Sequence, residues 1–183
     1  MLYSLSRKIF PNLIWHFSRQ EKKIYLTFDD GPHPEITTWA LEQLKKYNAK
    51  ATFFCVGKNV EKYPKVYRKI LDEGHRTGNH TYSHLNGWNV SKKKYIEDVE
   101  KCQSISNFQF LFRPPYGKIT PTQYSIINKK YSIILWDVLS KDYDNTCTGE
   151  QCYERVIKKT KPGSVIVFHD SEKASESLCY ALP

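Results

Sequence analysis

Apolar and polar positions alternate along this chain in a repeating order. A short β-branched or aromatic run comes first, then a turn, then apolar residues at helical spacing. Residues 24–28 predict a strand and 36–47 a helix with Trp39, Leu41 and Leu44 apolar. A strand over 51–56 follows, then a helix from Pro64 to Glu73, where proline suits the first turn and Gly74 the stop. Next come a short polar strand over 75–79, a helix capped by Ser91 and running to about Gln103, and a strand over 108–112. A helix over 120–130, a strand over 132–138, a polar loop over 139–148, a helix over 150–160 and a strand over 164–168 complete the series, and Ser171 opens a last helical stretch. About six β–α units with short loops predict parallel strands covered by helices in an α/β domain. A barrel and an open doubly wound sheet both fit. No linker or repeat interrupts residues 1–183, so the expectation is a single domain with residues 1–21 as an N-terminal arm packed on it.

The unusual polar residues fall where these strands end. Asp29 and Asp30 follow the first strand, His80 and His84 the third, and Arg113 the fourth. Asp142 lies in the loop after the fifth, and His169 and Asp170 follow the sixth. In a parallel α/β protein the C-terminal ends of all strands share one face, where sites are built. Taken singly, each residue has a plain reading: Asp-Asp-Gly as a turn, the histidines as core or surface groups, the arginine as a solvated charge. Taken together they describe one site.

Two imidazoles and a carboxylate can hold a zinc-like divalent ion and leave a position open for water or substrate. His80 and His84 with one member of the Asp29–Asp30 pair supply that set, and the other carboxylate is left for proton handling. Arg113 can keep that second carboxylate ionised. His169 can protonate a leaving group, and a backbone N–H of the Pro114-Pro115-Tyr116-Gly117 loop can meet oxyanion charge. The sum is metal-assisted hydrolysis of an acyl compound.

The segments Thr27-Phe28-Asp29-Asp30-Gly31-Pro32, His80-Thr81-Tyr82-Ser83-His84, Arg113-Pro114-Pro115-Tyr116, Ser140-Lys141-Asp142-Tyr143 and Val167-Phe168-His169 resemble, in order, the five motifs of the polysaccharide deacetylase family (NodB homology domain, carbohydrate esterase family 4). The resemblance covers roughly residues 24–171. It implies a distorted (β/α) barrel and removal of acetyl groups from an N-acetylglucosamine polymer such as peptidoglycan or chitin-like material, with acetylxylan-type esterase activity as an alternative. It makes Asp29 the general base, Asp30, His80 and His84 the metal ligands, and Arg113 the residue that orients Asp29. It also makes Tyr116 the backbone oxyanion donor, His169 the general acid and Asp142 its tuning partner. Thr81 would steady the histidine loop, and Trp136 and Val167 would line the acetyl pocket. Zinc is the default ion for such ligands, with cobalt or nickel as substitutes. The chain departs from the family pattern at Leu85, Tyr143 and Val167, none of which is a ligand or proton carrier. The family continues past its last motif through a helix and a strand, whereas this sequence ends at Pro183, so the expected barrel is incomplete at the C-terminus.

Composition narrows the picture further. With 183 residues, 40% hydrophobic and 26% charged, the chain has the makings of a globular core. No apolar run approaches the ~20 residues of a membrane span. The formal charge of +9 suits anionic partners, but the lysines are spread over helix faces without a nucleic-acid motif, so nucleic acid is not an expected partner. Cys55, Cys102, Cys147, Cys152 and Cys179 make an odd count without a C-x-x-C, which predicts free thiols. The first residues do not form a clean signal peptide. The default location is therefore the cytoplasm, with the cell envelope as the alternative, and the expected state is a monomer. Two competing functions stay in view: a carbohydrate-binding module on the same fold, and a basic scaffold that binds nucleic acid.

Overall fold

The computed structural model describes residues 10–106 and 108–183. Its strands are β1 (Tyr25–Asp29), β2 (Thr52–Cys55), β3 (Arg76–Asn79), β4 (Leu111–Phe112), β5 (Ser132–Ile133), β6 (Val138–Leu139) and β7 (Val165–His169). Among the described residues all seven form one sheet in the order β5-β4-β3-β2-β1-β7-β6, and every pair is parallel. The helices are α1 (Ile36–Lys46), α2 (Gly57–Lys62), α3 (Pro64–Asp72), α4 (Lys92–Ile105), α5 (Pro121–Ile127), α6 (Gly149–Lys159) and α7 (Ser175–Ala181). The two edge strands, β5 and β6, are consecutive in the chain. The sheet therefore curls until residues 134–137 can step from one edge to the other, giving a distorted, partly closed (β/α) barrel.

Side-chain parity sorts the strands into two layers. On β1, Leu26 and Phe28 face the helices, where Phe28 stacks on Phe53 with ring centroids 4.8 Å apart. That outer core takes Ala40, Leu41 and Leu44 from α1, Ile70 from α3 and Leu178 from α7. A second core between α4, α5, β4 and β5 gathers Tyr95, Val99, Phe112, Tyr124 and Ile133. The opposite parity points into the barrel, where Tyr25, Phe54, Leu111, Ile134 and Val165 pack together. Gly78 belongs to this inner layer, since a Cβ there would stand 2.7 Å from the Phe54 ring. At the start of the strands the inner layer leaves a cavity of about 600 Å³, lined in part by Tyr25, Thr52, Phe54 and Val165. The polar cluster lies at the other end.

Helix starts follow their sequences. Ser91 accepts the Lys94 N–H, and Thr120 with Gln123 and Thr148 with Gln151 make reciprocal capping boxes.

The structure differs from the sequence reading in three elements. The expected strand over 132–138 is two strands, because its ends pair with β4 and β7 on opposite edges of the sheet. The strand expected over 108–112 shrinks to β4, and Phe108 leaves it to pack edge-on against Tyr67 at 5.4 Å. Helix α2, not expected at all, follows β2 directly and buries Val60. Of the proposed arm, residues 1–9 lie outside the described residues. Within the remainder, Ile14 bridges Ile134, His16 bridges Ser164, and the Phe17 ring lies tilted against Tyr25 at 4.2 Å. Among the described residues no helix is long and apolar enough to cross a membrane.

Phe53 is buried on the outer face of β2 against Phe28. Phe53→Ala is expected to cost about 3–5 kcal/mol of folding stability, read as a lower urea midpoint with little change in slope.

Candidate active site

Register sets the level of the polar residues. The pairing of β1 with β7 puts Asp29 beside His169, and the pairing of Asn79 with Phe112 puts His80 beside Arg113. These four residues carry the inward parity of their strands, so they meet at the upper end of the barrel.

Arg113 is fully buried and fills the centre. Its Nη1 donates to Asp29 Oδ1 at 2.6 Å and to Thr27 Oγ1 at 2.7 Å. Its Nε donates to the Ile134 carbonyl and its Nη2 to the Leu135 carbonyl, each at 3.0 Å. The guanidinium lies 4.1 Å from the Phe54 ring centroid. Burial lowers its pKa, opposed by the charge of Asp29. A buried cation with this many acceptors has one geometry, and so does the carboxylate it holds.

Asp30 is adjacent to Asp29 but faces a different set of partners. An extended residue there would point outward, yet Asp30 has φ 83, a left-handed backbone that returns its side chain to the pocket. Four hydrogen bonds grip this turn. The Asp170 N–H donates to the Asp29 carbonyl, Asn59 Nδ2 to the Asp30 carbonyl, the Gly31 N–H to Asp170 Oδ1, and the Val56 N–H to the Gly31 carbonyl. Asp170 is itself buried, accepts the Thr37 hydroxyl, and is pushed by burial up to about 8.

Asp30 Oδ1 lies 3.1 Å from His84 Nε2 and 3.7 Å from His80 Nε2, and single ligand atoms of the three residues lie within 4.8 Å of one another. The His80 ring sits with Nδ1 2.7 Å from the Arg113 carbonyl. That acceptor fixes Nδ1 as the donor, so Nε2 presents its lone pair to the cluster. Burial lowers the His80 pKa to about 4, which keeps that lone pair free. Burial opposes ionisation of Asp30, but His84, His169 and His80 outweigh it and hold the carboxyl well below the usual range. Asp30 Oδ1 is buried with no hydrogen-bond donor aimed at it, despite the close histidine nitrogens. A carboxylate oxygen and two imidazole nitrogens converging within 4.8 Å suit a divalent cation.

The loop between the histidines is also held from outside. Thr81 and His84 have φ 62 and 55. Asn79 Oδ1 accepts the Thr81 N–H, Thr81 Oγ1 accepts the Leu85 N–H, and Asp98 Oδ2 accepts the Ser83 N–H. On the other flank Asp142 Oδ1 is 2.7 Å from His169 Nδ1, and its Oδ2 accepts the His169 N–H at 2.7 Å. Ser140 Oγ also donates to Asp142. Burial disfavours the charged form of His169, but the hydrogen bond and charge of Asp142 prevail and raise it to about 9. Tyr143 packs its ring against His169, with centroids 4.8 Å apart. Tyr116 has φ 60, leaves its side chain 59% exposed and sets its ring 4.7 Å from that of His84. Trp136 lies beneath this turn, against Gly117 and above Arg113, and Val167 is buried on β7 beside Thr27.

The structure thus brings Asp29, Asp30, His80, His84, Arg113, Tyr116, Asp142 and His169 to one end of the barrel. The sequence reading placed Asp170 among the converging strand-end residues without giving it a role, and it did not assign Asn59, Asp98 or Asn79 to any part of this site. Asp170, next to His169, was the one with a visible signal, as a second polar residue at a strand end.

The sequence profile of the polysaccharide deacetylase family matches residues 17–131. The chain is 37% identical over 155 residues to a peptidoglycan-N-acetylglucosamine deacetylase of Bacillus cereus, covering 81% of this chain but 56% of that protein. It therefore spans little more than half the length of that relative. Its fold superposes on the crystal structure of a peptidoglycan N-acetylglucosamine deacetylase bound to an N-hydroxybenzamide compound. The TM-score is 0.85, the identity 32%, and 94% of this chain and 85% of that one are covered. It also superposes on a pseudoenzyme of carbohydrate esterase family 4 from Bacillus anthracis, with a TM-score of 0.80, 25% identity, and 93% and 62% coverage.

Arg113→Met leaves Asp29 buried without its counter-ion. The expected cost is about 3–5 kcal/mol of folding stability, measured by urea denaturation. Gly31→Ala places a Cβ 2.0 Å from the Asp170 carboxylate. It is expected to lower the melting temperature by several degrees, equivalent to about 1–3 kcal/mol, in a thermal scan.

Proposed function

The chain belongs to the polysaccharide deacetylase family, and from that footing we propose that it is a metal-dependent hydrolase acting on acetylated N-acetylglucosamine polymers or oligomers. The observation that carries this reading is the Asp30–His80–His84 cluster with a fixed carboxylate on one side and a protonated histidine on the other. Residues 1–183 act as one catalytic domain in this proposal.

Asp30, His80 and His84 are the ligands of a divalent ion, with zinc the first choice and cobalt or nickel acceptable to the same donors. A divalent ion held there lowers the pKa of water and polarises an acyl oxygen. Asp29 takes the proton from the attacking water, and its hydrogen bond from Arg113 keeps it aimed. Attack at the acetyl carbon forms a C–O bond, and collapse breaks the C–N bond to give acetate and an amine. His169 supplies the proton that the leaving nitrogen needs. Asp142 accepts from Nδ1 of His169 and leaves Nε2–H as the donor. The Tyr116 N–H serves developing negative charge on the acyl oxygen, and Trp136 and Val167 wall the methyl group.

Family membership and fold do not by themselves guarantee turnover, since a neighbour of the same fold is a pseudoenzyme. The test is acetate release from N-acetylglucosamine oligomers. Chelation is expected to abolish it and zinc or cobalt to restore it, and Asp29→Asn is expected to lower kcat by at least about 10²–10⁴-fold. A protein that binds the ion but releases no acetate from any acetylated glycan would overturn the proposal.

The pH profile tests the acid. His169 is charged below about 9 and loses its proton as pH rises through that value, so kcat is expected to fall on the alkaline side. Asp142→Asn removes the charge that raises it and leaves burial to lower it. The alkaline limb is then expected to move to lower pH in a kcat–pH profile.

A further inference from the structure

The wall carrying His84 and Tyr116 continues into an aromatic and cationic lip that the proposed chemistry does not use. Trp88 lies four residues past His84, and Lys118 two residues past Tyr116. The two loops are pressed together, since a Cβ on Gly87 would stand 2.5 Å from the Lys118 carbonyl. The Trp88 indole N–H donates to the Ile119 carbonyl at 3.3 Å, so the side chain is tethered, yet 63% of the residue remains exposed. A tethered, open indole offers a rigid apolar face at low entropic cost. Lys118 Nζ stands 5.2 Å from its ring centroid.

Charge on this lip has one sign. Residues 85–96 contain Lys92, Lys93 and Lys94 and no carboxylate. Residues 114–125 contain Lys118 and no carboxylate. The nearest acids along α4 are Glu97, which stands 3.8 Å from Lys93, and Asp98, which turns to the histidine loop. The lip beside His169 is different, with Asp142, Asp144 and Glu176 gathered near Lys173.

We propose that Trp88 and Lys118 form a glycan subsite beside the catalytic centre that stacks a sugar ring and pairs with a carboxylate on it. The substrate class is an acidic N-acetylated glycan, one whose sugars alternate with carboxylate-bearing ether substituents as in the peptide-free strand of peptidoglycan, in preference to a neutral chitin-like chain. This rests on the deacetylase reading of the neighbouring site and extends it along the polymer. The indole face supplies C–H stacking to either glycan. The ammonium discriminates between them, because a carboxylate gains a partner there and a hydroxymethyl group does not.

The test uses two oligomers of equal length: a neutral N-acetylglucosamine tetramer, and a peptide-free tetramer alternating N-acetylglucosamine with N-acetylmuramic acid. The wild-type ratio of kcat/KM, acidic over neutral, is expected to exceed one. Lys118→Met is expected to reduce that ratio about five- to tenfold, mostly through KM. Trp88→Ala is expected to lower kcat/KM on both oligomers. Titration of the metal-loaded protein with each oligomer, followed by tryptophan fluorescence, gives affinity without turnover. If binding of the acidic oligomer weakens in Lys118→Met while no acetate appears from either glycan, the subsite stands and the catalytic reading falls. If acetate is released but Lys118→Met leaves the ratio unchanged, the subsite proposal is overturned. An equal loss on both oligomers in Lys118→Met also overturns it, because the lysine then serves packing and not charge recognition.

Discussion

The buried guanidinium of Arg113 is the constraint on which the rest of the site depends. A charge removed from water is costly unless every donor finds an acceptor, and here the acceptors come from distant parts of the chain. Asp29 and Thr27 answer from β1, and the carbonyls of Ile134 and Leu135 answer from the segment that steps between the sheet's two edges. Satisfying one side chain therefore ties the centre of the sheet to its seam. The main chain of the same residue extends the reach, since its carbonyl accepts from His80. The orientation of a carboxylate, the tautomer of an imidazole and the closure of the barrel have a common cause.

Around that centre the polar groups divide into two electrostatic regimes. Asp142 and His169 form a dyad in which a buried carboxylate keeps its partner protonated. Asp30, His80 and His84 form the opposite case, with an anionic oxygen and an imidazole whose charged form burial suppresses. Two histidines of the same intrinsic basicity end up on opposite sides of neutrality because a hydrogen-bonded carboxylate outweighs burial at His169, whereas burial outweighs every partner of His80. Separation of this kind is how one pocket assigns different proton duties to like residues.

Much of this was legible in the sequence, and the reason is physical. Asp29, Arg113 and His169 stand at or just past the ends of hydrophobic strands, where buried polarity is expensive and so conspicuous, and His80 stands out by its spacing from His84. Once the strands were recognised as parallel, convergence followed. The grip on Asp30 was not legible, because apart from Asp170 at its strand end it runs through Asn59 and backbone groups that carry no pattern. Asp98 and Asn79 were hidden the same way, as polar residues in ordinary helical and strand settings that accept main-chain N–H groups of the histidine loop. The division of 132–138 into two strands escaped because a continuous apolar run gives no sign of a change of neighbour. Helix α2 escaped because its six residues are too short to display a period.

Strand β1 sits in the middle of the sheet, yet one of its neighbours is β7, with Tyr25 registered against Val165 and Asp29 against His169. The central ladder thus joins segments about 140 residues apart in the chain, so loop-closure entropy must be met before this pairing returns any energy. During synthesis the first strand waits, one edge bare, until the seventh has been made. Asp29 and His169 face each other only then. The order of the chain thereby acts as a timer, because the site can assemble only once the sheet has received its last central strand.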